Sequence, residues 1–332
     1  MRRLLMVLLT IIGCSWSATA SAWSCSVSIT NIDFGNISPI STTDYTTTGT
    51  GTLTCQFFLL DLGPLLIPTV TTVVSLGLGT NSTSALPRNL GNGSNRIEYN
   101  LYVDGSYATP KIWGGASVPG APSTINPTFA SLLGIGTFST PFTVYAKIPA
   151  GTTLPSVPVV GNNNNTVYTS TLIASYSSAA CGLLSILGCP VSTGSVSFNV
   201  TATVINNCTI TASPMAFVST SVLSGNVRST SSLSVRCANA SAYQIAFNGG
   251  TVTGNVANRQ MRNTATGETI GYRLAATLDG ATVWGDGTAG TGMVTGTGTG
   301  ATVPLTVYGL VPAQTSPTPG DYKDTVMATI YF

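Results

Sequence analysis

Histidine is absent from the 332-residue chain, and charged residues, 12 basic and 10 acidic, make up only 7% of it. The first absence excludes His-dependent triads, most zinc sites and the commonest general base. The second removes the electrostatic basis for binding nucleic acid or anionic lipid. The carboxylates are scattered, and the best-spaced pair, Asp321 and Asp324, lies on an expected strand. The chain is therefore expected not to be an enzyme and to need no cofactor or metal. "GTGMVTGTGTG" (290–300) has the glycines of a phosphate loop without its lysine or following helix, and reads as a flexible hairpin loop. Beyond the N-terminus no apolar run is long enough to span a bilayer, because residues 57–70 are interrupted by Asp61, Gly63, Pro64 and Pro68. Helical periodicity is also missing, as saturation with Thr, Ser and Gly would require.

What is present begins with a leader. Arg2 and Arg3, an apolar run and Ala20-Ser21-Ala22 read as a secretory signal peptide, residues 1–22, cleaved before Trp23. Ile11-Ile12-Gly13-Cys14 is an alternative lipidation box, less well formed than the Ala-x-Ala site. Without the leader, basic and acidic residues balance and six of the seven cysteines remain. An even cysteine count in an exported chain reads as disulfides.

The chain also repeats itself. Cys25 and Cys55 lie 30 apart, Cys208 and Cys237 29 apart. Downstream, "IEYNLYVDGSYATPKIWGG" answers "IGYRLAATLDGATVWGDG", "FTVYAKIPAGTT" answers "LTVYGLVPAQTS", and "YTSTLIASY" answers "YKDTVMATI", in the same order. Two homologous domains follow, 23–204 and 205–332. Short Val/Thr/Ile/Tyr runs alternate apolar with polar, as at Val196, Phe198, Val200, Ala202 and Val204, between Gly, Asn, Asp and Pro turns. The expected fold is all-β, two tandem immunoglobulin-like sandwiches of about seven strands each. Pairing Cys25 with Cys55 and Cys208 with Cys237 would staple the first two strands of each copy, and Cys181 with Cys189 would close a loop; spacing alone leaves the connectivity open.

The repeated Cys pairs, Trp113 and Trp284, "TVYAKIP"/"TVYGLVP" and the final "DYKDTVMATIYF" resemble the spore-coat-U-type domain of archaic chaperone–usher pilus subunits, and the two-domain arrangement resembles the Csu-type tip adhesins. The resemblance implies an incomplete C-terminal pilin sandwich that needs a donor strand. It implies four partners: a periplasmic pilus chaperone, an outer-membrane usher, an adjacent pilin subunit and a hydrophobic surface. Val326, Ala328, Ile330 and Phe332 would contact the donated strand. Cys25 lies two residues after the expected mature start, leaving no extension to donate, so a terminal position in the fibre is expected. The alternating run 195–204 has no counterpart after Phe332 and is expected to complete the N-terminal sandwich from within.

The two copies differ by apolar insertions. The first copy has about 12 extra residues after Cys55, eight more between Trp113 and Tyr145, and the Cys181–Cys189 loop. These carry Phe57, Phe58, Leu59, Leu60, Leu62, Leu65, Leu66 and Ile67; Leu132, Leu133, Ile135 and Phe138; and Leu183, Leu184, Ile186 and Leu187. A fourth, "SVPVVGNNNNT", reads as an ordinary polar hairpin loop. Because the second copy does without the apolar insertions, they are expected to be exposed together at one pole, as a surface-binding site. Csu-type adhesins, by resemblance, grip abiotic hydrophobic surfaces with such loops and start biofilms. The expected function is that of a pilus tip adhesin, displayed on the cell surface after export through the periplasm. The alternatives are a lectin-like or protein-receptor adhesin using the same pole, and a structural spore-coat-type protein. Trp113, matched by Trp284 in the copy without insertions, is expected to be scaffold.

Overall fold

The computed structural model describes residues 23–57, 69–115, 119–120, 122–125, 136–151, 153–159, 165–181 and 188–332. The N-terminal half builds β1 (Trp23–Ile29), β2 (Ile32–Ile37), β3 (Tyr45–Phe57), β4 (Thr69–Leu76), β5 (Arg88–Asn92), β6 (Asn95–Tyr102), β7 (Ser123–Ile125), β8 (Gly136–Ile148), β9 (Asn165–Cys181) and β10 (Val191–Ile205). The C-terminal half builds β11 (Cys208–Ala212), β12 (Val227–Cys237), β13 (Ala242–Phe247), β14 (Arg259–Asn263), β15 (Thr269–Ala275), β16 (Val294–Thr297), β17 (Thr302–Val311), β18 (Tyr322–Lys323) and β19 (Ala328–Tyr331). A single helical turn, α1 (Gly250–Thr253), interrupts the second half.

Alternation decides which way each strand faces. In β3 the residues Leu53, Cys55 and Phe57 point inward while Thr46, Thr48 and Thr50 face solvent, the period-2 pattern of a half-buried strand. In the N-terminal half the strand order is β1-β3-β8-β6-β5-β9-β10-β2, with β4 paired to β9 and β7 paired in turn to β4. β6 joins the two faces, pairing with β5 through Asn95–Tyr99 and with β8 through Asn100–Tyr102. The C-terminal half has a six-stranded sheet, β11-β12-β17-β15-β14-β18, facing a three-stranded one, β16-β13-β19. Each half encloses its own apolar core, one running from Trp23 to Val204 and the other centred on Leu233, Ile245, Phe247 and Val311.

Three disulfides join Cys25 to Cys55, Cys181 to Cys189, and Cys208 to Cys237. The first and third link directly opposed residues on β1/β3 and β11/β12. The halves are joined by only Asn206 and Asn207 between β10 and β11. Ser156–Val159, the described start of the "SVPVVGNNNNT" segment, brace this junction, while the loop tip at 160–164 lies outside the described residues. Asn239 Nδ2 donates to Ser156 O at 2.6 Å, and Val159 N donates to Asn239 O at 3.1 Å. The glycine-rich stretch 290–300 departs from expectation, since Val294–Thr297 forms β16 against β13. Backbone pairing there outweighs the entropic cost of its glycines.

Candidate functional site: an open groove and a loop-bearing pole

The two halves differ most at one edge. In the N-terminal sandwich β10 pairs antiparallel with β9 at fifteen consecutive positions, from Val191↔Ala179 to Ile205↔Asn165. Its other edge pairs parallel with β2, through Val200↔Ile32 and Val204↔Ile37. Phe198, Val200, Ala202 and Val204 enter the core, and Phe198 is only 3% exposed. The strand expected over 195–204 is thus present and starts four residues earlier.

The C-terminal sandwich has the same neighbours without the strand between them. β19 pairs with β13, as β9 does with β4, and among the described residues no strand lies on its other edge. The β2 counterpart, Met215 and Phe217, stands seven and nine residues after Cys208, as Ile32 and Phe34 stand after Cys25. Lacking a partner strand, residues 213–224 form none. A groove of about 800 Å³ opens here, lined by Met215, Phe217, Val218, Val222, Leu223, Ile270, Val311 and Tyr322 among others. Met215 and Phe217 pack directly on Gly309, where a Cβ would collide with the Met215 sulfur and the Phe217 ring. Val326, Ala328 and Ile330 are half-buried against the core, whereas Phe332 is exposed and Met327 and Tyr331 face outward. Exposed apolar side chains beside an unpaired edge are what a soluble sandwich normally covers.

Between the groove and β19 the chain is held by polar bonds. Asp324 Oδ1 accepts from the Thr251 and Val252 amides at 2.8 and 3.2 Å, and Oδ2 accepts from the Tyr272 hydroxyl at 2.7 Å. Burial and that carboxylate hold the Tyr272 hydroxyl protonated, its pKa raised above the ordinary value. Asp324 lies between β18 and β19 and Asp321 just before β18, so neither carboxylate is on a strand as expected. No group of three or more metal-ligating side chains occurs among the described residues.

The other candidate site is the pole of the N-terminal sandwich. Residues 58–68, 126–135 and 182–187 lie outside the described residues, and with them Phe58, Leu59, Leu60, Leu62, Leu65, Leu66, Ile67, Leu132, Leu133, Ile135, Leu183, Leu184, Ile186 and Leu187. Their flanks are described, and they converge. Phe57 pairs with Gly136, Thr69 with Cys181, Thr72 with Ile125, and Ala179 with Val191. β10 runs from this end to the junction with the C-terminal sandwich, a span of roughly 50 Å at about 3.3 Å per residue.

Two residues expected at the exposed site have other positions. Phe57, 4% exposed, continues the inward alternation of β3 and stacks on Trp23 with ring centroids 5.7 Å apart. It is core, which corrects its assignment as a surface contact. Phe138 is half-buried and meets Phe57 edge-on at 6.3 Å. Trp113 is core as well, donating its Nε1 proton to Val74 O at 2.8 Å.

Two tandem sandwiches, one closed by its own strand and one with the equivalent edge unpaired among the described residues, make up the fold. Residues 13–170 and 195–329 match the Spore Coat Protein U domain, and the chain belongs to that family. Protein U of Myxococcus xanthus is 38% identical over 117 residues, a match covering 34% of this chain and 64% of that protein, so less than two thirds of the relative's length is spanned. In fold, the chain is similar to one in the chaperone–tip adhesion subunit pre-assembly complex of the archaic chaperone–usher Csu pili of Acinetobacter baumannii. That likeness has a TM-score of 0.53 at 16% identity, over 93% of this chain and 100% of that one. A tip adhesin of Pseudomonas aeruginosa is a more remote likeness, with a TM-score of 0.39 at 11% identity, over 92% of this chain and 94% of that one.

Proposed function

We propose that this protein is the tip adhesin of a chaperone–usher pilus, exported through the periplasm and displayed on the cell surface. Its C-terminal sandwich joins the fibre by accepting an extended strand along the unpaired edge of β19 and over the apolar groove lined by Met215, Phe217 and Tyr322. A periplasmic chaperone fills the groove first, and at the outer-membrane usher an adjacent pilin replaces it. The observation that carries this reading is internal to the chain: β10 fills in one sandwich the place that stands open in the other. An edge strand over an apolar groove is the geometry of strand addition, in which main-chain bonds supply affinity and alternate side chains supply specificity.

The N-terminal sandwich is the adhesive end, attaching cells to hydrophobic abiotic surfaces and initiating biofilms. Support comes from the converging flanks of the three insertions and from their leucine-rich sequence. With Phe57 and Phe138 at the base, burying a third of the remaining side chains at about 2 kcal/mol each gives about 9 kcal/mol. That is comparable with the roughly 4–15 kcal/mol cost of immobilisation, so a single tip holds weakly and many hold by avidity. Replacing Leu184 and Ile186 with Ser tests the assignment. Pili are expected to assemble normally while attachment to polystyrene falls at least about tenfold; unchanged attachment would refute it. Deleting Val326–Phe332 is expected to abolish chaperone capture, and normal export of that variant would contradict the assembly role.

A further inference from the structure

A buried Arg–Tyr–Trp arrangement occurs in both sandwiches, with one difference. In the C-terminal copy Arg259 lies opposite Tyr272 across β14/β15. Its guanidinium donates to three carbonyls: Nε to Asn248 O at 2.8 Å, Nη1 to Trp284 O at 2.8 Å and Nη2 to Phe247 O at 2.9 Å. Tyr272 donates to the Asp324 carboxylate, which also places a negative charge near the buried cation. Each of these polar side chains is satisfied.

In the N-terminal copy Arg88 lies opposite Tyr99 across β5/β6, and its side chain is fully buried. Nε donates to Gly77 O at 3.0 Å and Nη2 to Trp113 O at 2.6 Å. The place of Asp324, two residues after a tyrosine in the repeated "YTSTLIASY"/"YKDTVMATI" stretch, is taken by Ser170. Arg88 Nη1, the Tyr99 hydroxyl and the Ser170 hydroxyl are all buried and none has a well-aligned hydrogen bond, the two hydroxyls lying close enough to interact only with each other. A glycine packs closely against the two hydroxyls. A Cβ on Gly79, whose φ is +93°, would lie 2.6 Å from Ser170 Oγ and 3.6 Å from the Tyr99 oxygen. Burial lowers Arg88 only to about 10 and pushes Tyr99 up to about 12, so at neutral pH one stays cationic and the other stays a donor. A buried cation without a counter-charge is costly, and orphaned buried donors add to that cost.

We propose that the N-terminal sandwich binds a small monovalent anion, chloride being the abundant one, on Arg88 Nη1, Tyr99 and Ser170, where it replaces the carboxylate that Asp324 provides in the C-terminal sandwich. All three ligands can donate. The neighbouring carbonyls of Gly77 and Trp113 disfavour a more highly charged anion. A water molecule would satisfy hydrogen bonds but leave the charge uncompensated.

The test uses the purified full chain and halide ions. Raising chloride from about 5 to about 500 mM at constant ionic strength is expected to lift the melting temperature of the N-terminal transition by about 2–4 °C. A bromide-soaked crystal is expected to show an anomalous peak within hydrogen-bonding distance of Arg88 Nη1. Ser170→Asp supplies the carboxylate covalently and is expected to remove both the peak and the halide dependence. If that variant does not fold, Tyr99→Phe serves instead and is expected to need several-fold more halide for the same shift. Absence of a bromide peak in the wild type, with water at the site or no halide dependence, would overturn the proposal. So would a halide response unchanged in either folded variant.

Discussion

Phe198 marks what β10 does at the level of single side chains, since it enters the core from the strand that has no counterpart beside β19 among the described residues. Phe198→Ala is expected to destabilise the N-terminal sandwich by about 3–5 kcal/mol, read as a lower first transition in thermal unfolding with the second unchanged. Met327→Ser, on the outward face of the terminal segment, is expected to stay within about 0.5 kcal/mol of the wild type. Alkaline titration probes the core separately. Burial pushes Tyr168 up to about 12, above the ordinary value near 10, so the unfolded chain releases this proton first. Its contribution is therefore complete below about pH 10 and is lost as pH rises towards 12. Arg88 and Arg259, lowered by burial, act in the opposite sense, so the tyrosine share is isolated by comparison with Tyr168→Phe, whose alkaline loss of stability should be smaller. The buried arginines were not read from the sequence, because both precede the repeated stretches that align the two copies. Phe57 was misassigned because the insertion was counted from Cys55, although the alternation of Leu53, Cys55 and Phe57 already carried it into the core.

Strands and loops show where period-2 patterning suffices and where pairing decides. The alternating run 195–204 announced β10, but Val191–Gly194 lacks strong alternation and is drawn into the strand by pairing with β9. β16 was not legible at all, because Val294–Thr297 lies in a glycine-rich stretch and forms only against β13. Met215 and Phe217, which line the groove, could have been found by counting seven and nine residues from each first cysteine. At this scale the disulfides differ in the loops they close. Cys181 and Cys189 are 8 apart, Cys25 and Cys55 30 apart. Chain-entropy arguments put their contributions at about 2.5 and 3.5 kcal/mol. Replacing both cysteines of the short loop with Ser is expected to cost the smaller amount in denaturant unfolding, and to weaken surface attachment while leaving pilus assembly intact.

At the scale of the whole molecule, one duplicated sandwich occurs in two conditions, closed and open, joined by a two-residue linker and braced by Asn239 against Ser156 and Val159. The converging loop flanks lie at the far end of β10 from that junction, and the open edge belongs to the other sandwich. This arrangement separates the proposed adhesive end from the proposed attachment end. The most direct measurement is native-state hydrogen exchange on the full chain, comparing Ala328–Tyr331 with the equivalent residues 174–177. Amides of β19 that face away from β13 are expected to exchange at least about 100-fold faster than their β9 counterparts, which β10 covers. Equal protection at the two edges would mean that the C-terminal sandwich is already closed, and would contradict its role as an acceptor.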